Sequence, residues 1–235
     1  MVGELGEKGN VSYFFYVAFW FLIYLQSQLQ DLTSPQLYDQ QAALEMLFGF
    51  FAKGFGLDSA SKEAAEKVFQ LRNYKRRGLL LQEGDVCKTY SFVIAGCFKL
   101  YAVDGNGVEH NLQFAVENDW IADFKSFYAQ KASQLYIEAI EASTVLQVGH
   151  DDLLWLYTNF PKFDRNFRIV IERRYIELQD RVLHNISVTA EERYRLFEKE
   201  YPELIQRLPG TQIASYLGIT SEFLSKVKKK LSKGG

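Results

Sequence analysis

Between Arg76 and Phe124 the chain reads RRGLLLQEGDVCKTYSFVIAGCFKLYAVDGNGVEHNLQFAVENDWIADF, a succession of short β-branched and aromatic runs. Glu83-Gly84-Asp85, Ala95-Gly96, Asp104-Gly105-Asn106-Gly107 and Glu117-Asn118-Asp119 break those runs. After the third break Val108, His110, Leu112, Phe114 and Val116 alternate onto one face, and Asp-Gly-Asn-Gly between two such runs predicts a hairpin. Two more strands follow in YIEAIEAS and TVLQVGH. Short strands at regular spacing predict a β sandwich or roll of roughly 80 residues.

Helical periods flank this region. Residues 57–70 suit a helix that starts at Asp58 and Ser59, with Ala64, Ala65, Val68 and Phe69 on one face. After His150 a short helix is expected over Asp151–Thr158, and Pro161 opens a long one reaching about Ser187. Along it Phe160, Phe163, Phe167, Ile171, Tyr175, Leu178, Val182 and Ile186 recur every three or four residues, a stripe about 40 Å long. A small domain does not need so long a stripe for its own core. A partner helix in a second copy would use it, and so would one face of the roll.

Thr189–Tyr201 reads as a further helix, and Pro202 and Pro209-Gly210 punctuate the approach to TQIASYLGITSEFLSKVKKKL, Thr211–Leu231. Here Gly218 suits a left-handed turn between two helices, and Ala214 is small where they cross. Ile213 and Leu217 face Ile219, Leu224 and Val227 across a small core, with Thr220 as N-cap and Glu222 at the positive helix end. Each constrained position of a helix-turn-helix is filled. The second helix would enter the major groove with Ser221, Glu222, Ser225 and Lys226 toward base edges, glutamate accepting from cytosine and lysine donating to guanine. Thr211 and Gln212 would hold phosphate at the start of the first helix, and Lys229 is the tail lysine assigned to a phosphate.

Charge sharpens this picture. The chain of 235 residues carries a net −2, yet Arg207–Gly235 holds six basic residues against Glu222 alone, a local +5 that leaves −7 on the rest. An acidic body with a basic end fits a polyanion partner, and a solvated lysine face is the plain alternative. Cys87 and Cys97 have no metal-ligand spacing, which excludes a disulfide scaffold and fits a reducing cytoplasm. They read as buried structural thiols, with a redox pair as the other option.

Enzyme chemistry finds little support. The three histidines are scattered, and there is no nucleophile elbow, phosphate-cradling glycine loop or metal spacing. Gly149-His150-Asp151-Asp152 falls at a strand-to-helix junction, where aspartate commonly caps. At the other end, Val11–Leu25 is an uncharged, aromatic-rich stretch of fifteen residues. It spans roughly 22 Å, short of the ~30 Å hydrocarbon core, and lacks the basic flank and cleavage site of a signal peptide. Three readings stand: a short membrane-associating segment, a helix packed on the domain, or an upstream extension with Met46 as the beginning. The third is preferred, and the first supplies the rival account of a membrane-tethered ligand sensor.

The order of parts over about residues 46–235 resembles the Crp/Fnr superfamily of bacterial transcription regulators. The similarity is strongest in LLLQEGDVCKTYSFVIAGCFKLY, HNLQFAVENDWIADF and AEERYRLFEKEYPELIQRLPGTQIASYLGITSEFLSK. It implies an α+β fold: a cyclic-nucleotide-binding-like β roll (a jelly roll) over 46–158, a dimerisation helix over 159–187 and a helix-turn-helix domain over 188–235. It further implies a homodimer that binds double-stranded DNA and contacts RNA polymerase. No cofactor is expected, because the cysteine cluster of the iron–sulfur members is absent and His110 and His150 read as strand-end histidines rather than haem ligands, and the cysteine usage points to the cytoplasm. Departures matter too. Cyclic-AMP-binding members carry Gly-Glu and, about ten residues on, Arg followed by Ser or Thr, whereas here stand Ala122-Asp123 and Ser133-Gln134. Without the arginine a buried cyclic phosphate lacks its bidentate partner, which argues against cyclic AMP. Lys125 is a nearby cation in that segment. A pocket of Trp120, Asp123, Phe124, Lys125, Ser133, Gln134 and Leu135 remains, with its effector unnamed. In the recognition helix the family's first-turn arginine is replaced by Ser221 and a later one by Lys226, while Glu222 is kept.

Overall fold

The computed structural model describes residues 38–231. The Val11–Leu25 stretch and Lys233 lie outside them. Helix α1, Gln40–Ala52, starts behind Asp39, whose carboxylate accepts from the Ala42 N–H at 2.7 Å, and it buries Ala43, Leu44, Leu47 and Phe51. A boundary at Met46 would fall inside this helix and take Ala43 and Leu44 out of the core. Helix α2, Ser59–Val68, is capped by Asp58 as its sequence predicts. Hydrogen bonds from Ser61 hold the exposed Asp58 carboxyl down at about 2.

The β region forms two four-stranded antiparallel sheets. One holds β1 (Gln70–Tyr74), β8 (Ser143–Gly149), β3 (Thr89–Ala95) and β6 (Trp120–Ile121), paired in that order. The other runs β2 (Leu79–Leu81), β7 (Tyr136–Ala139), β4 (Phe98–Val103) and β5 (Glu109–Ala115). Between β6 and β7 lies the short helix α3, Phe124–Ala129. The predicted Asp-Gly-Asn-Gly hairpin joins β4 to β5, with Val103 opposite Glu109 and Gly107 at φ +80°. One buried core takes residues of both sheets and of the helices: Tyr90, Phe92, Val145 and Leu146 from one sheet and Phe98, Leu100 and Ile137 from the other, with Trp120 tilted against Phe92 and edge-on to Phe167.

On β5 the alternation fails. A register shift opposite Leu100 and Tyr101 turns the strand, so Val108, His110 and Leu112 are exposed while Asn111 is buried. Of that predicted face Phe114 is buried in a core and Val116 packs half-buried against it.

Helix α4 (His150–Asn159) leads through Phe160 into α5 (Pro161–Ser187). The stripe of α5 divides in two. Phe163, Phe167 and Val170 pack into the roll, whereas Tyr175, Leu178, Val182 and Ile186 are 61%, 55%, 53% and 80% exposed. Helices α6 (Ala190–Glu200), α7 (Pro202–Arg207), α8 (Gly210–Leu217) and α9 (Ser221–Leu231) follow. Thr189 and Glu192 close a reciprocal capping box at the start of α6. The four helices share a second core of Tyr194, Phe197, Leu204, Ile213, Leu217, Leu224 and Val227, which also takes Phe114 and Cys97 from the roll. Cys87 belongs to the first core, so the two thiols are packed separately. Burial pushes the Cys97 thiol up to about 12. Among the described residues no helix is long and apolar enough to cross a membrane.

Candidate nucleic-acid interface and the junction beneath it

Gly218 closes α8 at φ +66°, and its N–H returns to the Ser215 carbonyl while that of Ile219 returns to Ala214. A residue bearing a Cβ would be strained at that angle, which explains glycine at the turn. The Thr220 hydroxyl accepts from the Phe223 N–H at 3.2 Å and so caps α9. With Leu224 and Val227 turned to the core, Glu222, Ser225 and Lys226 stand exposed on one side, and Ser221 is half-buried beside them. Backbone N–H at the helix start and the Thr220 hydroxyl hold the Glu222 carboxyl below its usual value, keeping it an acceptor. Ser225 donates to the Ser221 carbonyl at 2.9 Å, which orients its hydroxyl along the helix. Thr211 is exposed and Lys229 lies on the exposed tail.

Gln212 behaves differently. Strand β5 is a sheet edge, and its outward backbone groups need partners. Helix α8 supplies them: the Asn111 N–H donates to Ser215 Oγ at 3.0 Å, and that hydroxyl donates to the Glu109 carbonyl at 2.7 Å. The buried Asn111 side chain donates to the Gln212 carbonyl at 3.0 Å and to Gln212 Oε1 at 2.8 Å. From α5, Arg181 donates to the carbonyls of Leu112, Asn111 and Tyr216 and stacks 4.1 Å from the Tyr216 ring. Gln212 is therefore held by the roll in this arrangement rather than free at the helix start. Arg207, counted in the basic end, pairs bidentately with Glu117 and also with Glu141, and Lys230 meets Glu191 at 2.6 Å. Both charges are spent within the chain.

The structure brings Asp123, Lys125, Ser133 and Leu135 together but sets Trp120 apart from them. Trp120 is packed in the core against Tyr90 and Phe92, and Lys125 and Gln134 are exposed. Asp123 is buried and accepts from Ser133 Oγ at 2.7 Å and from the N–H groups of Lys125 and Ser126. The segment that would cradle a phosphate thus closes on its own carboxylate. Leu135 is half-buried against the core, donating its N–H to Ser133 Oγ at 2.9 Å. Phe124 instead reaches the wall of a cavity of about 410 Å³ lying between β4, β5, α5 and the C-terminal helices. Among the described residues no cluster of His, Cys, Asp and Glu is placed to hold a metal ion.

Sequence patterns did not reveal Asn111, Ser215, Arg181 or the ion pair of Arg174 with Asp119 at 2.8 Å. Asn111 stands with Glu109 and Gln113 on the polar phase of the alternation, so no local pattern marks it.

Comparison with known proteins places these parts. A family model for the cyclic nucleotide-binding domain matches residues 71–160. Among solved structures the chain resembles FixK2 from Bradyrhizobium japonicum at 19% identity and a TM-score of 0.62, covering 71% of this chain and 85% of that one. It also resembles CLP, a c-di-GMP-responsive global regulator from Xanthomonas campestris, at 14% identity and a TM-score of 0.60 over 75% and 92% of the two chains. A protein from Eubacterium rectale described as a putative transcriptional regulator of the Crp/Fnr family matches at 12% identity and a TM-score of 0.57, over 76% and 85%. No curated protein compared with the chain matches it. Residues 71–160 thus match the model of a cyclic nucleotide-binding domain, and the chain shares the fold of these solved structures.

Proposed function

We propose that the chain is a cytoplasmic, dimeric, sequence-specific DNA-binding transcription regulator of the Crp/Fnr type that does not answer to cyclic AMP, and that it is not an enzyme. The observation that carries this reading is α9: its apolar side is consumed by the second core, and its polar side presents Glu222, Ser225 and Lys226 behind a capped N-terminus. That combination suits a helix read by a major groove. The exposed half of the α5 stripe supports pairing with a second copy, which would set two such helices about a two-fold axis. The Asp123–Ser133 bond supports independence from cyclic AMP, because a cyclic phosphate would meet a carboxylate rather than a guanidinium. Contact with RNA polymerase follows from the same reading.

The test uses the full chain and pooled genomic duplex fragments at near-physiological salt. Selective retention of a subset, relaxed at one base pair and weakened by roughly 1–3 kcal/mol in Lys226→Ala, is the expected result. Unchanged sequence preference in that variant contradicts the role given to Lys226. Titration with cyclic AMP should give no saturable heat, and stoichiometric binding would reverse that part.

A further inference from the structure

The cavity between the roll, α5 and the C-terminal helices is apolar along Leu112, Phe114, Leu178, Phe197 and Tyr216. Its volume of about 410 Å³ lies within the range of small-molecule sites. At roughly 30 Å³ per non-hydrogen group it holds about a dozen such groups. Its wall carries three charged groups near one another on α5. Arg174 and Glu177 are paired to each other at 2.7 Å, and Arg174 also binds Asp119. Among the described residues Arg181 has no carboxylate partner. Its three hydrogen bonds go to backbone carbonyls and one face lies on Tyr216, so of the five N–H groups of a guanidinium about two remain without a protein acceptor. Burial works against its charge, and tyrosines rather than carboxylates are the groups that support it. A half-buried cation without a counter-ion, set in an apolar cavity wall, favours an anion that brings its own apolar body.

We propose that this junction cavity binds an amphipathic organic anion of about a dozen heavy atoms, an apolar body ending in one carboxylate whose oxygen meets the Arg181 guanidinium. The site is distinct from the Asp123–Ser133 segment, which is closed. Its walls come from the sensor strands, from α5 and from α6 to α8, so an occupant touches each part that must move if DNA binding is regulated. That consequence rests on the regulator reading, whereas the binding itself does not.

Decanoate and its uncharged analogue decanol are titrated into the full chain by calorimetry. The expected result is saturable binding of decanoate at one site per chain, with decanol weaker by roughly tenfold or more. Arg181→Met should lose that discrimination and Arg181→Lys should restore part of it. Because Arg181 also braces β5, Leu112→Trp provides a second arm that fills the cavity and leaves the guanidinium in place. It should abolish binding at an unchanged melting temperature. Absent saturable binding, equal affinity for acid and alcohol, or undiminished binding in Leu112→Trp each overturns the proposal. A duplex titration with and without decanoate separates the two readings. A chain that binds decanoate but no duplex keeps the site and loses the regulator, and one that binds duplex but no decanoate does the reverse.

Discussion

Removing the Ser215 hydroxyl tests whether the helix-turn-helix is held to the roll by the edge of β5. Ser215→Ala deletes two hydrogen bonds at once, the one accepted from the Asn111 N–H at 3.0 Å and the one donated to the Glu109 carbonyl at 2.7 Å. Each contributes about 0.5–1.5 kcal/mol, so the contact loses about 1–3 kcal/mol. Alanine's better helix propensity returns up to about 0.5 kcal/mol within α8 itself, which leaves the helix intact. The docked-to-undocked ratio should then fall by about 5–150-fold. Hydrogen exchange followed by mass spectrometry reads this directly. Peptides covering 109–115 and 210–217 should exchange faster together, while β3 and β8, paired along most of their length, should not change. Wild-type exchange in both peptides would show that these bonds do not hold the contact. Uniform acceleration across the roll would show that Ser215 acts on global stability instead.

Three further outcomes follow from the structure. Gly96 sits at φ +94°, and a Cβ there would lie 2.2 Å from Ser143 Oγ and 2.7 Å from its Cα, so Gly96→Ala should lower stability by at least ~1–3 kcal/mol in a thermal melt; an unchanged melt contradicts the placement. Burial pushes the Glu117 carboxyl up, but the hydrogen bonds from Arg207 and from the Gly96 N–H outweigh it and hold it below the ordinary 4.5. Its folded value being depressed, Glu117 contributes stability above about pH 4.5 that is lost as pH falls through the folded value, and Arg207→Gln should flatten that acid limb of a denaturation series. Val182→Glu places a charge on the exposed half of the α5 stripe and should yield monomers by sedimentation, whereas an intact dimer would move the pairing surface elsewhere.

Sequence periodicity reached far in this chain because most of its elements are one-sided. The roll was legible from turn residues at fixed spacing, α5 from its stripe, and the helix-turn-helix from Ala214, Gly218 and the five apolar residues around them. The docking was not legible. Asn111 and Gln212 are separated by 101 positions, and Arg207 and Glu117 by 90, so no local pattern joins them. The register shift beside Leu100 and Tyr101 reversed the reading of β5, since one extra residue turns every later side chain over. The altered segment at Ala122-Asp123 and Ser133-Gln134 was visible as a departure. That Asp123 and Ser133 bond to each other, closing the segment, needed the fold.

The regulator reading itself is tested most directly by selection. The full chain, without added ligand, is incubated with a random duplex pool at near-physiological salt, and the retained DNA is sequenced. Enrichment of an inverted repeat with half-sites about one helical turn apart, ~34 Å, is the predicted result, because two copies paired along α5 would present α9 twice about a two-fold axis. Absence of binding even at low salt would contradict it.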